Sequence, residues 1–397
     1  MAGPLEGTKV LDFTHAVGGP FCTLLLRDLG AEIIKIERTG RGDVTRTMVP
    51  LTKGSESGAF INLNRGKKSI TLNLRSEKGI DICKDLVKTV DVLVENFSPG
   101  VMVRLGLSSE ELLKLNPKLI YASMSAFGHT GPRHAEAGYD PVAQAMGGLT
   151  TITGYPDSPP TKAGPAVADL GGGLFVALAI VAALQHRSKT GEGQAIDISM
   201  QDCIWLITAI EHAPQYFLAG QVPQRLGNTV PHTTPANLYP AKDGSIIIAT
   251  AEIAQVENVF RVIEREDLIG TKFCAQPTER LKYKEQIDAM VEAWTKTKTV
   301  EEILQKLRDA HVPCTMVPTY DQVCNDPQLL SREMIIEVEQ PLSGKVKTPG
   351  SLFKLSKTPG NVKYSAPRLG EHNLEVYAGI LGYTEQEIAR FASEGVI

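Results

Sequence analysis

The sequence predicts an α/β protein: a parallel sheet with helices on both faces, followed by a smaller α/β unit. Three observations carry this. A strand, a glycine-bearing turn, a helix and a second strand follow one another within the first 37 residues, forming a β-α-β unit. Apolar strand-length segments then alternate with helical ones to about residue 218. A long apolar run, Leu174 to Leu184, is too short to cross a bilayer and reads as a buried helix.

Lys9 to Phe13 is the first strand. The turn His15-Ala16-Val17-Gly18-Gly19-Pro20 leads into a helix from about Phe21 to Leu29, and Gly30 suits its C-cap. Glu32 to Glu37 is the second strand. The turn is not G-x-G-x-x-G, because Gly18 and Gly19 are adjacent and no third glycine follows at the required place. An NAD-dependent dehydrogenase therefore loses its main support.

Ser69 to Leu74 is a strand, Ser76 to Thr89 a helix, and Asp91 to Glu95 a fully buried strand ending at Asn96-Phe97. Ser98-Pro99 reads as an N-cap with proline at the first helical position. Ser108 and Glu111 form a capping box, and Leu119 to Ala126 is the next strand. A glycine- and proline-rich stretch runs from Gly128 to about Ala168, broken by a helix near Pro141 to Gly147. Loops of that length are usually functional. The apolar helix follows, then a strand, Gln194 to Met200, and a helix from about Asp202 to Leu218.

Residues 220–240, rich in Pro, Gly, Thr and His, read as a linker. The small unit, 241–324, has a strand at Ser245 to Thr250, a capping box at Thr299 and Glu302, and a proline-bearing strand at Val312 to Val317 that belongs at an edge. A second linker surrounds Asn325-Asp326-Pro327. The final residues hold short strands, turns and a last helix from Thr384.

A chain of 397 residues, 42% hydrophobic and 22% charged, has the composition of a soluble globular protein with room for two domains. The first residues show no basic n-region and no apolar h-region, so no signal peptide is expected. The six cysteines are scattered without metal-ligand spacing and read as free thiols in a reducing cytoplasm. A net charge of −4 argues against general nucleic-acid binding. The first 75 residues hold 11 Lys and Arg against 7 Asp and Glu, a local excess suited to a small phosphorylated ligand.

Asp169 stands out, in Ala168-Asp169-Leu170-Gly171-Gly172-Gly173 just before the apolar helix. Unpaired N–H groups and the macrodipole at a helix start favour a carboxylate there, and the glycines leave room for another molecule. Such a carboxylate can cap the helix and stay ionised, or it can attack a carbonyl. The turn Val17 to Pro20 can offer N–H groups to phosphate. Arg38 and Arg104 read singly as solvated surface residues, yet either can bind phosphate or stack on adenine. Lys67 and Lys68 fit a solvated pair at a strand edge or contacts to phosphate, and Lys67 is counted with the ligand site. Asn96-Phe97, at the end of a buried strand, lies where open α/β sheets place ligands.

Several motifs, in order, resemble the class III coenzyme A transferases, the family of formyl-CoA transferase, acetyl-CoA:oxalate CoA-transferase and carnitine CoA-transferase. Their carriers are Leu11-Asp12-Phe13-Thr14 with Gly19-Pro20, Asn64-Arg65-Gly66-Lys67-Lys68-Ser69, Val94-Glu95-Asn96-Phe97, Gly138-Tyr139-Asp140, Ala168-Asp169 and Leu369-Gly370-Glu371-His372. The resemblance implies a Rossmann-like large domain, built from 1–219 and 325–397, with a small domain between. It also implies two chains interlocked like links, as a homodimer or as a hetero-oligomer with a paralogue. It implies coenzyme A and its acyl thioesters as substrates, with no tightly bound cofactor, metal, nucleic acid or membrane. Asp169 matches the family's nucleophile, and Val17, Arg38, Asn96, Phe97, Arg104 and Tyr139 match residues that line the CoA site.

The implied reaction moves CoA from an acetyl-CoA or succinyl-CoA type donor to a carboxylic acid, through an aspartyl anhydride and an aspartyl-CoA thioester. Formyl-CoA transferase has a glycine run in its small domain that covers the active aspartate; Ile246-Ile247-Ile248-Ala249-Thr250-Ala251-Glu252 lacks it, which disfavours a formyl donor. Two alternatives remain. An α-methylacyl-CoA racemase of the same fold needs a histidine where this chain has Tyr139, and His129 and His134 read as exposed loop residues. A non-catalytic CoA-binding subunit would not need Asp169.

Overall fold

The computed structural model describes residues 3–362 and 364–397. It divides into two compact units. One comprises residues up to Thr150, Lys162–Gln221 and Pro327–Ile397; the other comprises Thr151–Thr161 and Val222–Asp326.

The larger unit is built on six parallel strands: β1 (Lys9–Asp12), β2 (Glu32–Glu37), β3 (Lys68–Thr71), β4 (Val92–Glu95), β5 (Ile120–Ser125) and β6 (Gln194–Ser199). Their order is β3-β2-β1-β4-β5-β6, the doubly wound order of a Rossmann sheet. Strands buried on both faces must be apolar in consecutive positions, since neighbouring side chains point to opposite sides. Val10, Ile33, Val92, Val94, Ile120 and Ala122 face one layer. Leu11, Ile34, Ile36, Ile70, Leu93 and Tyr121 face the other.

The helices before the first long loop are α1 (Gly18–Asp28), α2 (Gly58–Asn64), α3 (Glu77–Val87), α4 (Val101–Arg104) and α5 (Ser109–Leu115). Those after it are α6 (Asp140–Met146), α7 (Leu149–Ile152), α8 (Val167–Thr190) and α9 (Met200–Ala219). On the first face Cys22, Leu25 and Leu26 of α1 pack with Val176 and Ile180 of α8. On the second face Ile82, Cys83 and Leu86 of α3 meet Val376, Tyr377 and Phe391 near the chain's end. That end is tied to the β3 edge. Tyr377 donates its hydroxyl to Thr71 O at 2.6 Å, and Thr71 N–H donates to Asn373 Oδ1 at 2.9 Å. The Ser108 and Glu111 capping box forms as expected.

Four local expectations change. Helix α1 starts at Gly18, three residues early, so the turn after β1 is shorter than read and Val17 is its N-cap. The Ser98-Pro99 cap does not form: Val101 N–H bonds Ser98 O in a turn, and Gly100, at φ 83°, precedes α4 in a conformation that suits glycine. Helix α8 is 24 residues long, because its apolar stretch continues into a polar last turn ending at Gly191. It is long and apolar enough to cross a membrane by length and composition, so the length argument fails. One of its faces nevertheless carries Val176, Ala177, Ile180 and Ala183 into the core. Fourth, Thr151–Thr161 clusters with the small unit rather than the large one.

In the small unit the segment read as linker contains a strand, β7 (Ala236–Pro240). It pairs antiparallel with β8 (Ser245–Ala249), which pairs with β9 (Cys314–Met316) at the other edge. Pro240 is tolerated because it ends an edge strand. Tyr239, buried in the core, donates its hydroxyl to Asp288 Oδ1 at 2.6 Å. The prolines masked this strand in the sequence. The Thr299 and Glu302 capping box is present.

Candidate active site

Strands β1 and β4 are the neighbours from which the chain winds in opposite directions, so their carboxyl ends open a crevice. The turns that leave these strands are locked together there. His15 N–H donates to Asn96 Oδ1 at 3.0 Å, and Asn96 Nδ2 donates to His15 O at 2.9 Å. The imidazole lies against the Phe97 ring, centroids 5.2 Å apart. Phe97 N–H donates to the buried Glu95 Oε2 at 2.8 Å. Backbone position and side-chain amide together fix the floor of the crevice.

Two cavities open at this floor. The smaller, about 130 Å³, is bounded by Val17, Asn96, Phe97, Tyr139 and Asp169, with Met124, Ser125 and Met200 behind them. The larger, about 490 Å³, runs between Arg38, Asp43, Leu72, Arg75, Phe97 and Leu105. His15 and Phe97 border both. The two cavities are thus a small pocket holding a carboxylate and a groove with apolar walls and two arginines.

Asp169 lies in the first turn of α8 but does not cap it; the cap residue is Ala166. Asp140, buried at the start of α6, does that work. Its Oδ1 accepts from Ala168 N–H at 2.8 Å and from Asp169 N–H at 3.4 Å, while its Oδ2 accepts from Gln144 Nε2 at 2.7 Å. The Asp169 carboxylate therefore keeps no hydrogen bond among the described residues and faces the cavity. Burial first, and the neighbouring Asp140 charge second, push its pKa up to about 6. The reading of Asp169 as the helix cap is corrected: Asp140, from another helix, accepts the N–H groups at the start of α8, and Asp169 does not.

Of the glycines after Asp169, Gly172 and Gly173 leave no room for a ligand, while Gly171 meets only Ile207 Cδ1 at 3.7 Å. A Cβ at Gly173 would lie 2.4 Å from Gly18 O, and one at Gly18 would lie 2.9 Å from Asp169 O. The space holds the start of α1 against the start of α8, and two helix N-termini converge beside the carboxylate.

Lys67 is not at a ligand surface. Its side chain is fully buried, and its ammonium bonds Thr23 Oγ1 at 2.7 Å, Asn64 Oδ1 at 2.8 Å, Pro20 O at 3.0 Å and Asp12 Oδ2 at 3.2 Å. Three donors are spent, so none remains for phosphate. Lys68 pairs with Glu32 at 2.7 Å and Glu375 at 2.8 Å. Lys67 belongs to a buried charge cluster beneath the crevice. In it Lys35 pairs with Asp43 at 2.8 Å, and Arg46 grips Glu37 through two bonds of 2.7 Å. Arg104, exposed on α4, borders neither cavity. His129 is exposed in the loop after β5, as read, with its Nε2 2.5 Å from Ser123 Oγ.

Sequence reasoning passed over His15, Arg75, Ser125 and Asp140. Asp140 had a visible signal, an acid before Pro141 at a helix start. Ser125 ends a strand at the sheet's carboxyl edge, where ligands bind. Among the described residues no group of three or more His, Cys, Asp or Glu is placed to hold a metal. All six cysteines are unpaired.

Strand order and the crevice at the switch point define an α/β protein of the doubly wound type, with a carboxylate-bearing pocket beside a groove at the carboxyl ends of its strands. A family model described as CoA-transferase family III matches residues 5–373, and the chain belongs to that family. It is 35% identical to succinyl-CoA–D-citramalate CoA-transferase of Chloroflexus aurantiacus over 99% of this chain and 98% of that protein. It is 35% identical to human succinyl-CoA:glutarate CoA-transferase over 99% and 90%. A formyl-CoA:oxalate CoA-transferase of Rhodopseudomonas palustris is 37% identical over 100% and 98%. Among solved structures, a CAIB/BAIF family protein from Brucella suis superposes with a TM-score of 0.84 at 35% identity, over 96% of this chain and 100% of that one. The protein is a CoA-transferase acting between acyl-CoA and carboxylic acids.

Proposed function

We propose that this enzyme transfers coenzyme A by covalent catalysis at Asp169, from an acetyl-CoA or succinyl-CoA type donor to a small carboxylic acid. The observation that carries the reading is the Asp169 carboxylate, open to the small cavity and free of hydrogen bonds. Its oxygen attacks the donor thioester carbon; the C–S bond breaks, giving a mixed anhydride and CoA thiolate. The thiolate attacks the aspartyl carbonyl and expels the donor acid, leaving an aspartyl-CoA thioester. The acceptor carboxylate attacks that thioester and frees the thiolate. The thiolate then takes the new acyl group and restores Asp169. Two relatives named for succinyl-CoA support the donor class.

The groove suits the nucleotide end of CoA, with Leu72, Leu105 and Phe97 as apolar walls and Arg38 and Arg75 for phosphate. Val17, Asn96, Phe97 and Tyr139 then line the path of the thiol arm toward Asp169. The decisive test is intact-mass and peptide mapping after adding acyl-CoA without acceptor. An adduct on Asp169 is expected; an adduct elsewhere, or none, overturns the mechanism. Deuterium exchange at the donor α-carbon without acceptor would instead favour a racemase.

Attack needs Asp169 ionised, so kcat/KM should rise with pH through a midpoint of about 6. Asp140→Asn removes a negative neighbour, which favours ionisation, so the midpoint should move to lower pH. Burial, the larger cause, remains and keeps it above an ordinary aspartate. The stability sign agrees. The folded pKa lies above the unfolded one, so the folded state holds more protons between about 4 and 6, and this contribution is lost as pH rises through that window. An unmoved acid limb in Asp140→Asn would remove Asp140 from this role.

We also assign a homodimer. Leu178 of α8 and Trp205, Leu206, Ile210 and Phe217 of α9 are exposed apolar residues on two packed helices, a surface that a second copy can cover. Sedimentation should give about twice 43.0 kDa for the purified chain. A monomer, or activity only after mixing with a sister chain, would count against it.

A further inference from the structure

The geometry points to Ser125 as a substrate-contacting residue, its hydroxyl donating a hydrogen bond to an oxygen of the acyl group held against Asp169. This deepens the reading of Asp169 as nucleophile and rests on it. Ser125 is the last residue of β5 and borders the same small cavity as Asp169. It is 7% exposed, and its Oγ is buried with no hydrogen-bond partner among the described residues. A buried hydroxyl left unpaired is costly, and most such groups find partners. An orphan on the wall of a reaction cavity has a partner that arrives with the substrate.

The other groups around the cavity narrow the role. Asp169 only accepts when ionised. The Asn96 amide is spent in both directions on the His15 backbone. His15, Ser98 and Tyr139 also carry donors on this cavity, but none of the three is buried; Ser125 is the buried donor left without a partner among the described residues. When Asp169 attacks, negative charge builds on the former thioester oxygen, and a fixed donor beside it stabilises that charge more than it does the neutral carbonyl. Ser125 keeps its proton throughout; the contribution is a hydrogen bond that strengthens as the C–S bond weakens. The same hydroxyl serves the last step, in which the thiolate attacks the new acyl carbonyl; the two attacks between place the charge on the aspartyl carbonyl oxygen instead.

The test is Ser125→Ala in the full-length protein, followed by rapid-quench mass spectrometry of the Asp169 adduct, CoA titration and thermal melting. Adduct formation and kcat should fall about 10- to 100-fold. CoA affinity should be unchanged, and Tm unchanged or higher, because the variant removes an unsatisfied polar atom. Ser125→Cys, a weaker donor of similar size, should fall between the two. A wild-type adduct rate in Ser125→Ala sinks this inference and leaves Asp169 standing. A slower rate accompanied by a matching loss of Tm or CoA affinity also sinks it, as a packing effect. Absence of any Asp169 adduct in the unaltered enzyme sinks both readings.

Discussion

Asp169→Asn should lower kcat by about 10⁴- to 10⁶-fold, as loss of a covalent nucleophile does. The amide is nearly the same size, so the cavity keeps its shape, but an amide oxygen does not attack a thioester at a useful rate. The contacts that build the crevice lie elsewhere: His15 with Asn96, Phe97 with Glu95, and Asp140 with the start of α8. CoA should therefore bind with unchanged Kd by calorimetry, and no adduct should appear at position 169. Replacing the charge also relieves repulsion from Asp140, so the variant should melt no lower than the parent. A variant with even a few per cent of wild-type turnover would show that the carboxylate only assists. One that loses CoA binding as well would show that it holds the crevice together.

The second large effect is on stability. Lys67→Met should destabilise the protein by about 3–5 kcal/mol, the cost of stripping one partner from a buried ion pair. The methionine fills most of the lysine's volume, so packing changes little. What changes is Asp12, 0% exposed, which loses the opposing charge and keeps Thr14, Thr23 and the more distant Lys35. Pro20 O and Asn64 Oδ1 lose a donor too. Urea denaturation would read the loss directly. The pH dependence has a definite sign. Burial raises the Asp12 pKa, but Lys67 and Lys35 outweigh it and hold the group down to about 2. Its stabilisation is therefore present above the unfolded value near 3.8 and is lost as pH falls toward 2. Lys67→Met should unfold at a higher pH on acid titration. A variant of normal stability but weakened CoA binding would instead restore Lys67 as a phosphate contact.

The sheet was legible in the sequence because strands buried on both faces need apolar residues at consecutive positions, as at Val10-Leu11, Ile33-Ile34 and Val92-Leu93-Val94, although Asp12, Lys35, Glu37 and Glu95 interrupt the pattern as buried charges. Capping boxes at Ser108, Thr299 and Thr384 were legible because two side chains at fixed spacing satisfy the same orphan N–H groups. Strand β7 was hidden by its terminal proline, and the polar end of α8 by attention to its apolar centre. Asp169, Val17, Asn96, Phe97 and Tyr139 were named in advance and share one cavity. Lys67 was misplaced because a lysine's sequence neighbours do not show where four carbons carry its charge; only the fold reveals Asp12, from a strand 55 residues earlier, beneath it. Asp140 and Asp169 lie 29 residues apart, and nothing local to either announces that one fixes the helix start that carries the other.

The crossing of α1 and α8 has one more implication. Gly18 and Gly173 let two main chains touch with no side chain between them. Side chains hop among rotamers; a peptide plane does not. The backbone that carries Asp169 is thus held by main chain against main chain, and repacking of the surrounding methionines need not move it. Loops around the pocket can change while this crossing of helices stays put.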